Sequence, residues 1–256
     1  MRKFILLFRF LAISFSAIGL AVSVGVGSSH AIEMASAPKA SPKMKNVILI
    51  GANGRTSAEI IPRLLAEDDV RLTLFLRQAG RLQHLKSERV TLFEGDATNI
   101  ADLRNAIKGQ DIVVSTMGGS DLDVKTANIV SAMKDVGVRR IIAISAGGIY
   151  DELPEPFNSW DKGMVGQYRP VNLRTAEVLE QSSLIYTVLR PVWLTDKPTE
   201  VFQLTKKGET YKGTETSRAS IARFVADVVK NPDLYADENL GISQPNTDGD
   251  RPAAYR

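Results

Sequence analysis

The sequence predicts an α/β fold, a doubly wound parallel sheet with helices on both faces, three layers deep. Short apolar runs without alternation recur along the chain, as strands covered on both faces require. Amphipathic segments of helical period separate them, and that alternation is the pattern of parallel strands joined by right-handed crossovers. The first run also ends in a glycine turn that opens a helix, the layout of a phosphate-holding strand-turn-helix.

In order, the strand runs are "VILI" (47–50), "LTLFL" (72–76), "VTLF" (90–93), "DIVVST" (111–116), "RIIAIS" (140–145), "YTVLRP" (186–191) and a weaker "LGIS" (240–243). Between the fourth and fifth lies "LDVKTANIVSAMKDVG", where Val124, Ala127, Val130 and Val136 are expected to share the buried face and Gly137 to cap the end. The clearest helix is "SRASIARFVADVVKNP". Ile221, Phe224, Val225, Val228 and Val229 follow i, i+3, i+4, i+7, i+8, Ser217 is the expected N-cap, and Asn231-Pro232 stops the helix. A ligand then belongs at the carboxyl ends of the strands.

The ends of the chain read differently. Arg2, Lys3 and Arg9 precede the apolar run "FLAISFSAIGLAVSVGVG", and Ser29 and Ala31 stand where a secretory leader would be cut, after Ala31. Residues 1–31 are therefore expected to be a signal peptide that exports the protein, or an anchor if uncleaved, which would be its only membrane contact. Residues 32–44, rich in Ala, Pro, Ser and Lys, read as a disordered spacer. Residues 45–256 read as one domain, with a small substrate-side portion over about 191–256.

The 256 residues are 44% hydrophobic and 24% charged, enough to bury a full core. Residues 1–31 carry three basic and no acidic residues, and without them 29 basic residues face 29 acidic ones. A chain so balanced lacks the basic excess that a nucleic-acid surface needs. With no cysteine, disulfides, thiol catalysis and cysteine-zinc sites are excluded. The two histidines are His30, within the leader, and His84. No metal site is expected, and a Ser-His-Asp triad is not supported.

The phosphate loop is "GANGRTS". Gly51 permits the tight turn and Gly54 the close approach of backbone to phosphate. A third glycine is usual where helix and strand pack, and Ser57 stands there instead; it is small enough to fit. Pro62 should kink the following helix. The second strand ends at Arg77, where an acidic residue would bond a ribose 2′-hydroxyl and an arginine suits a 2′-phosphate. Arg55 is a second cation in the loop. Together they favour NADP(H) over NAD(H), without excluding the latter. Asp96, in "FEGDAT", is placed to bond the adenine amine.

Taken together, "GANGRTS", "LFLR", "EGDATN", "STMGG", "ISAGGIYDE" and "YTVLRPVWLTD" resemble the atypical short-chain dehydrogenase/reductase superfamily, in its NAD(P)H-binding group of NmrA-like and biliverdin reductase B-like proteins. The resemblance covers about residues 45–256 and implies a Rossmann-like fold. It implies that Gly51, Asn53, Gly54, Arg55 and Thr56 hold the phosphates, Arg77 the 2′-phosphate, and Asp96 and Ala97 the adenine. Thr116, Met117, Gly118, Ser145, Pro191 and Val192 would line the ribose and nicotinamide side.

Typical members of that superfamily use a tyrosine acid with a lysine four residues later. Here Tyr168 is followed by Asn172 and Tyr150 by Pro154, so neither has its lysine. Ser145 and Tyr168 remain the catalytic candidates. Without an activated tyrosine, the expected reaction is hydride transfer to a small conjugated acceptor such as a quinone, flavin or enal, which takes its proton from water. A non-catalytic NADP(H) sensor is the alternative. Phe157, Trp160 and Trp193 either offer an acceptor surface or only pack the loop between Ser145 and Tyr168.

Overall fold

The computed structural model describes residues 43–256, so the expected leader and all but the end of the expected spacer lie outside the described residues. In chain order come β1 (Lys45–Ile50), α1 (Arg55–Leu65), β2 (Val70–Leu76), β3 (Val90–Glu94), α2 (Ile100–Ile107), β4 (Ile112–Ser115), α3 (Leu122–Val136) and β5 (Arg140–Ile144). There follow α4 (Phe157–Val165), α5 (Arg169–Glu180), β6 (Ile185–Pro191), β7 (Trp193–Thr195), β8 (Gln203–Lys206), β9 (Glu215–Ser217), α6 (Arg218–Lys230) and β10 (Glu238–Ser243). The order in the main sheet is β3-β2-β1-β4-β5-β6-β10-β8. Every pairing is parallel except β10 with β8.

The chain reverses direction across the sheet between β1 and β4, and a ligand crevice opens at such a switch point. Alternate residues of β1 supply the two cores. Val47 and Leu49 pack with Ile60, Leu64, Phe224 and Val228 of α1 and α6, while Ile48 and Ile50 pack with Leu103, Ile129, Met133 and Leu179 of α2, α3 and α5. That division makes the three layers, with every one of these side chains at 0% exposure. On α6, Ser217 accepts from the Ser220 amide as the expected cap, and all five predicted apolar positions are buried.

The α3 face is corrected. Its buried stripe is Leu122, Thr126, Ile129, Val130 and Met133, while Val124 is 55% exposed and Ala127 is also on the outside. The register starts at Leu122, so the wide stripe takes in a threonine and leaves a valine to solvent; Gly137 ends the helix in the left-handed conformation, as expected. α1 runs through Pro62 to Leu65; the proline lies on the exposed side, and its carbonyl accepts from Ala66 at 3.0 Å. Most of residues 191–256 build into the main sandwich through β8, α6 and β10. Only β7 and β9 form a separate two-stranded parallel sheet.

Candidate functional site

A cleft of about 550 Å³ lies at the switch point, walled by the carboxyl ends of four adjacent strands. Gly51, Asn53 and Gly54 follow β1, Arg77 follows β2, Gly95, Asp96 and Ala97 follow β3, and Met117 and Gly118 follow β4. Eight of the residues expected to hold a cofactor thus meet on one surface.

The glycine turn has a steric cause. Gly51 has φ +88°, and a Cβ there would lie 3.1 Å from both the Met117 sulfur and the Thr116 hydroxyl. At Gly54 it would lie 3.3 Å from the Gly51 carbonyl. Ser57 is fully buried, and its hydroxyl donates to the Gly51 carbonyl at 3.0 Å and shares a 2.7 Å bond with the Thr116 hydroxyl. The serine in the third glycine position therefore staples the turn to β4. Ser57→Ala is expected to cost about 1–2 kcal/mol, the worth of these bonds net of solvent, read as a lowered urea midpoint.

The first turn of α1 has no acidic residue and no side-chain cap, which leaves the positive end of the helix dipole open to a ligand. Arg55 does not line the cleft. Its side chain is ion-paired with Asp196, which Arg218 also holds at 2.7 Å. Thr56 is the second residue of the same helix. The cation that joins Arg77 on the cleft wall is instead Arg81, from the 3-10 turn Ala79–Leu85. Lys125 of α3 is a third, paired with Asp121 at 2.7 Å. Arg81 stands four residues after Arg77, a spacing visible in "RQAGR"; Lys125 leaves no such trace.

Asp96 accepts from the Thr98 amide and hydroxyl, both at 2.9 Å. Those two bonds, with the charges of Arg77 and Lys125, hold its carboxyl below the usual range. It stays ionised and available as an acceptor for an amine. Gly95 beside it cannot carry a side chain, because a Cβ would meet the Phe75 ring at 2.6 Å. The donors and the glycine cradle suit a phosphorylated adenosine ligand.

Thr116, Met117 and Gly118 follow β4, and the other candidates for the ribose and nicotinamide side, Ser145, Pro191 and Val192, lie at the ends of β5 and β6. The Gly147 amide donates to the Pro191 carbonyl at 2.8 Å, and a Cβ on Gly147 would press on Val192 at 2.8 Å, so the 147–148 turn is clamped to the end of β6. The Ser145 hydroxyl donates to the Asn172 carbonyl at 2.9 Å, and the Asn172 amide group donates to the Tyr168 carbonyl at 2.9 Å. Asn172, in the place of the family lysine, thus joins both catalytic candidates through backbone oxygens. Tyr168 is 43% exposed.

Tyr150 does receive a lysine, from far along the chain. Lys207 sits over its ring, 4.5 Å from the centroid, while the phenol oxygen accepts from Asn239 at 2.9 Å. Burial, and then the Glu180 charge, push this phenol above its ordinary value. Tyr150 is therefore not an activated acid. Next to it the fully buried Arg190 pairs with Glu152 and donates to Asn239 at 2.7 Å. A second clamp holds α4, where Arg169 pairs with the buried Asp161 at 2.6 Å and donates to Asn158 at 2.9 Å.

Phe157, Trp160 and Val192 pack in one cluster with Leu153 and Tyr211. The loop aromatics do pack the loop, and Trp160 and Trp193 also touch one another at the edge of that cluster. Among the described residues, no group of three metal-ligating side chains occurs, and no helix is long and apolar enough to cross a membrane.

The pattern described as NAD(P)H-binding matches residues 51–232. The chain belongs to this NAD(P)H-binding family, within the atypical short-chain dehydrogenase/reductases. A Rossmann-fold NAD(P)-binding family protein from Shigella flexneri is 36% identical, with a TM-score of 0.69 over 82% of this chain and 98% of that one. A short-chain dehydrogenase/reductase from Veillonella parvula, solved in complex with NADP, is 26% identical with a TM-score of 0.77 over 82% and 99%. A phenylcoumaran benzylic ether reductase from Ginkgo biloba is 29% identical over 114 residues, 41% of this chain and only 37% of that protein.

Proposed function

We propose that the protein is an NADP(H)-dependent oxidoreductase that delivers hydride directly to a small conjugated acceptor. The observation that carries the cofactor choice is the pair Arg77 and Arg81 on the cleft wall beyond β2, with no acidic residue at the end of that strand. Two guanidinium groups suit a 2′-phosphate, and each can bond it through two N–H donors. The α1 amides and the Gly51–Gly54 turn hold the pyrophosphate, and Asp96 accepts from the adenine amine. NADPH supplies the hydride when bound there.

The acceptor side follows from what Tyr168 and Ser145 lack. Tyr168 has Asn172 where the family lysine would stand, and the Ser145 proton is committed to the Asn172 carbonyl. The chain positions the reactants, and the reduced conjugated product collects its proton from solvent. Steady NADPH consumption with a naphthoquinone, a flavin or an enal tests this reading; binding without consumption across all three favours a non-catalytic NADP(H) sensor instead. Tyr168→Phe is expected to keep turnover within about threefold, because a positioned general acid is worth about 10²–10⁴ and none is assigned here. A hundredfold fall in kcat makes the tyrosine the acid.

We propose further that residues 1–31 export the domain, so that it meets its cofactor outside the cytoplasm or carries it out in folded form. Fractionation of cells, with mass spectrometry for processing after Ala31 and for retained nucleotide, checks both points.

A further inference from the structure

Trp160 and Trp193 are the only two tryptophans in the sequence, and they meet with ring centroids 5.0 Å apart. Tyr255, from the 3-10 turn Ala253–Tyr255, completes a triangle at 5.2 Å from Trp160 and 5.1 Å from Trp193. The rings of the triangle are held differently. Phe157, fully buried, stacks under Trp160 at 6.1 Å, and Trp193 is fixed by its place in β7, directly after Val192. Tyr255 is 42% exposed, and its phenol makes no hydrogen bond among the described residues.

The turn that carries Tyr255 is anchored without help from its ring. The Ala253 amide donates to the buried Glu215 carboxylate at 2.6 Å, and the Tyr255 amide donates to the Pro252 carbonyl at 2.9 Å. Rotation about χ1 can therefore carry the ring away while the turn stays in place. A ring held only by edge and face contacts to two indoles exchanges readily with another flat π-system.

We propose that Tyr255 is an exchangeable plug, and that the place its ring holds against the touching pair Trp160 and Trp193 is the slot that receives the planar conjugated ring of the acceptor. This rests on the hydride-transfer reading, since Val192, expected on the nicotinamide side, packs in one cluster with Phe157 and Trp160. The plug covers part of the two indoles, which stay half-buried, when no acceptor is present. A flat ring of one to three fused cycles replaces it; an aliphatic ketone or a sugar offers no such face and does not compete with the tyrosine.

Tryptophan emission reports this slot alone, because the sequence has no other tryptophan. Lumichrome, a redox-inert flavin ring, is titrated against the mature protein and variants, with NADPH titrated in parallel. Tyr255→Ala is expected to tighten lumichrome binding at least threefold and to leave the NADPH Kd within twofold. Tyr255→Phe, which restores the ring, is expected to return the wild-type value. Trp193→Leu is expected to weaken lumichrome at least tenfold, with its melting curve compared with wild type. Unchanged or weaker lumichrome binding in Tyr255→Ala, with NADPH binding intact, overturns the plug and leaves the cofactor reading standing. Loss of NADPH binding in the wild-type protein overturns the cofactor reading itself.

Discussion

Arg77→Asp is expected to weaken NADPH at least a hundredfold while NADH changes less than about threefold. The magnitude follows from the charge-assisted bonds a guanidinium gives a phosphate, about 1.5–3 kcal/mol each, of which about 2.7 kcal/mol already amounts to a hundredfold. Reversal adds repulsion between the new carboxylate and the 2′-phosphate. That carboxylate can instead bond a ribose 2′-hydroxyl, which is why NADH is spared. Arg81→Ala should act in the same direction but less, about tenfold, because it removes one cation without installing an anion. Both effects should shrink with added salt, since Arg77 and Arg81 are exposed. Fluorescence titration with the two coenzymes separates this from its rival. Equal loss of NADPH and NADH would mean that Arg77 only shapes the loop.

Seven strand runs and the phosphate turn were legible because both are local: continuous apolar runs and a glycine pair need no distant partner to be read. The same is true of α6, whose cap and apolar stripe are written within thirteen residues. What escaped depends on three-dimensional neighbours. Strands β7 and β9 have three residues each, polar or mixed, and exist because each completes the other. On α3 the valines suggested a face, but the packing against α2 and α5 chose the one through Leu122 and Thr126. Tyr150 has Pro154 four residues on, and the lysine that reaches it stands 57 positions later, brought by the β10–β8 pairing. Arg55 was legible as a cation but not its engagement with Asp196, which the chain supplies from beyond β7.

Arg190→Met is expected to lower the stability by about 3–5 kcal/mol, the cost of leaving one partner of a buried ion pair alone. Arg190 is fully buried on β6, one residue before Pro191, and Glu152 is 6% exposed. Glu152 is joined to Arg190 by one carboxylate oxygen and accepts from the Tyr150 amide with the other at 2.7 Å. The guanidinium also lies 5.1 Å from the Tyr150 ring centroid and 5.6 Å from that of Tyr211, whose hydroxyl donates to the Arg190 carbonyl at 2.7 Å. Removing the arginine strands the carboxylate with a single amide. A loss of this size is a large share of the 5–15 kcal/mol or so that holds a typical domain together. The double variant Arg190→Met with Glu152→Leu should recover most of it, because a buried pair exchanged for apolar groups is often neutral. Recovery of stability without recovery of acceptor KM is the expected pattern. Glu152 fixes the loop that runs from Ser145 to Phe157, and an apolar pair can fill the volume without holding that loop against β6. Urea midpoints for the two variants, set beside their KM values, separate the two roles; a loss below about 1 kcal/mol in Arg190→Met would show that the pair is not isolated from water.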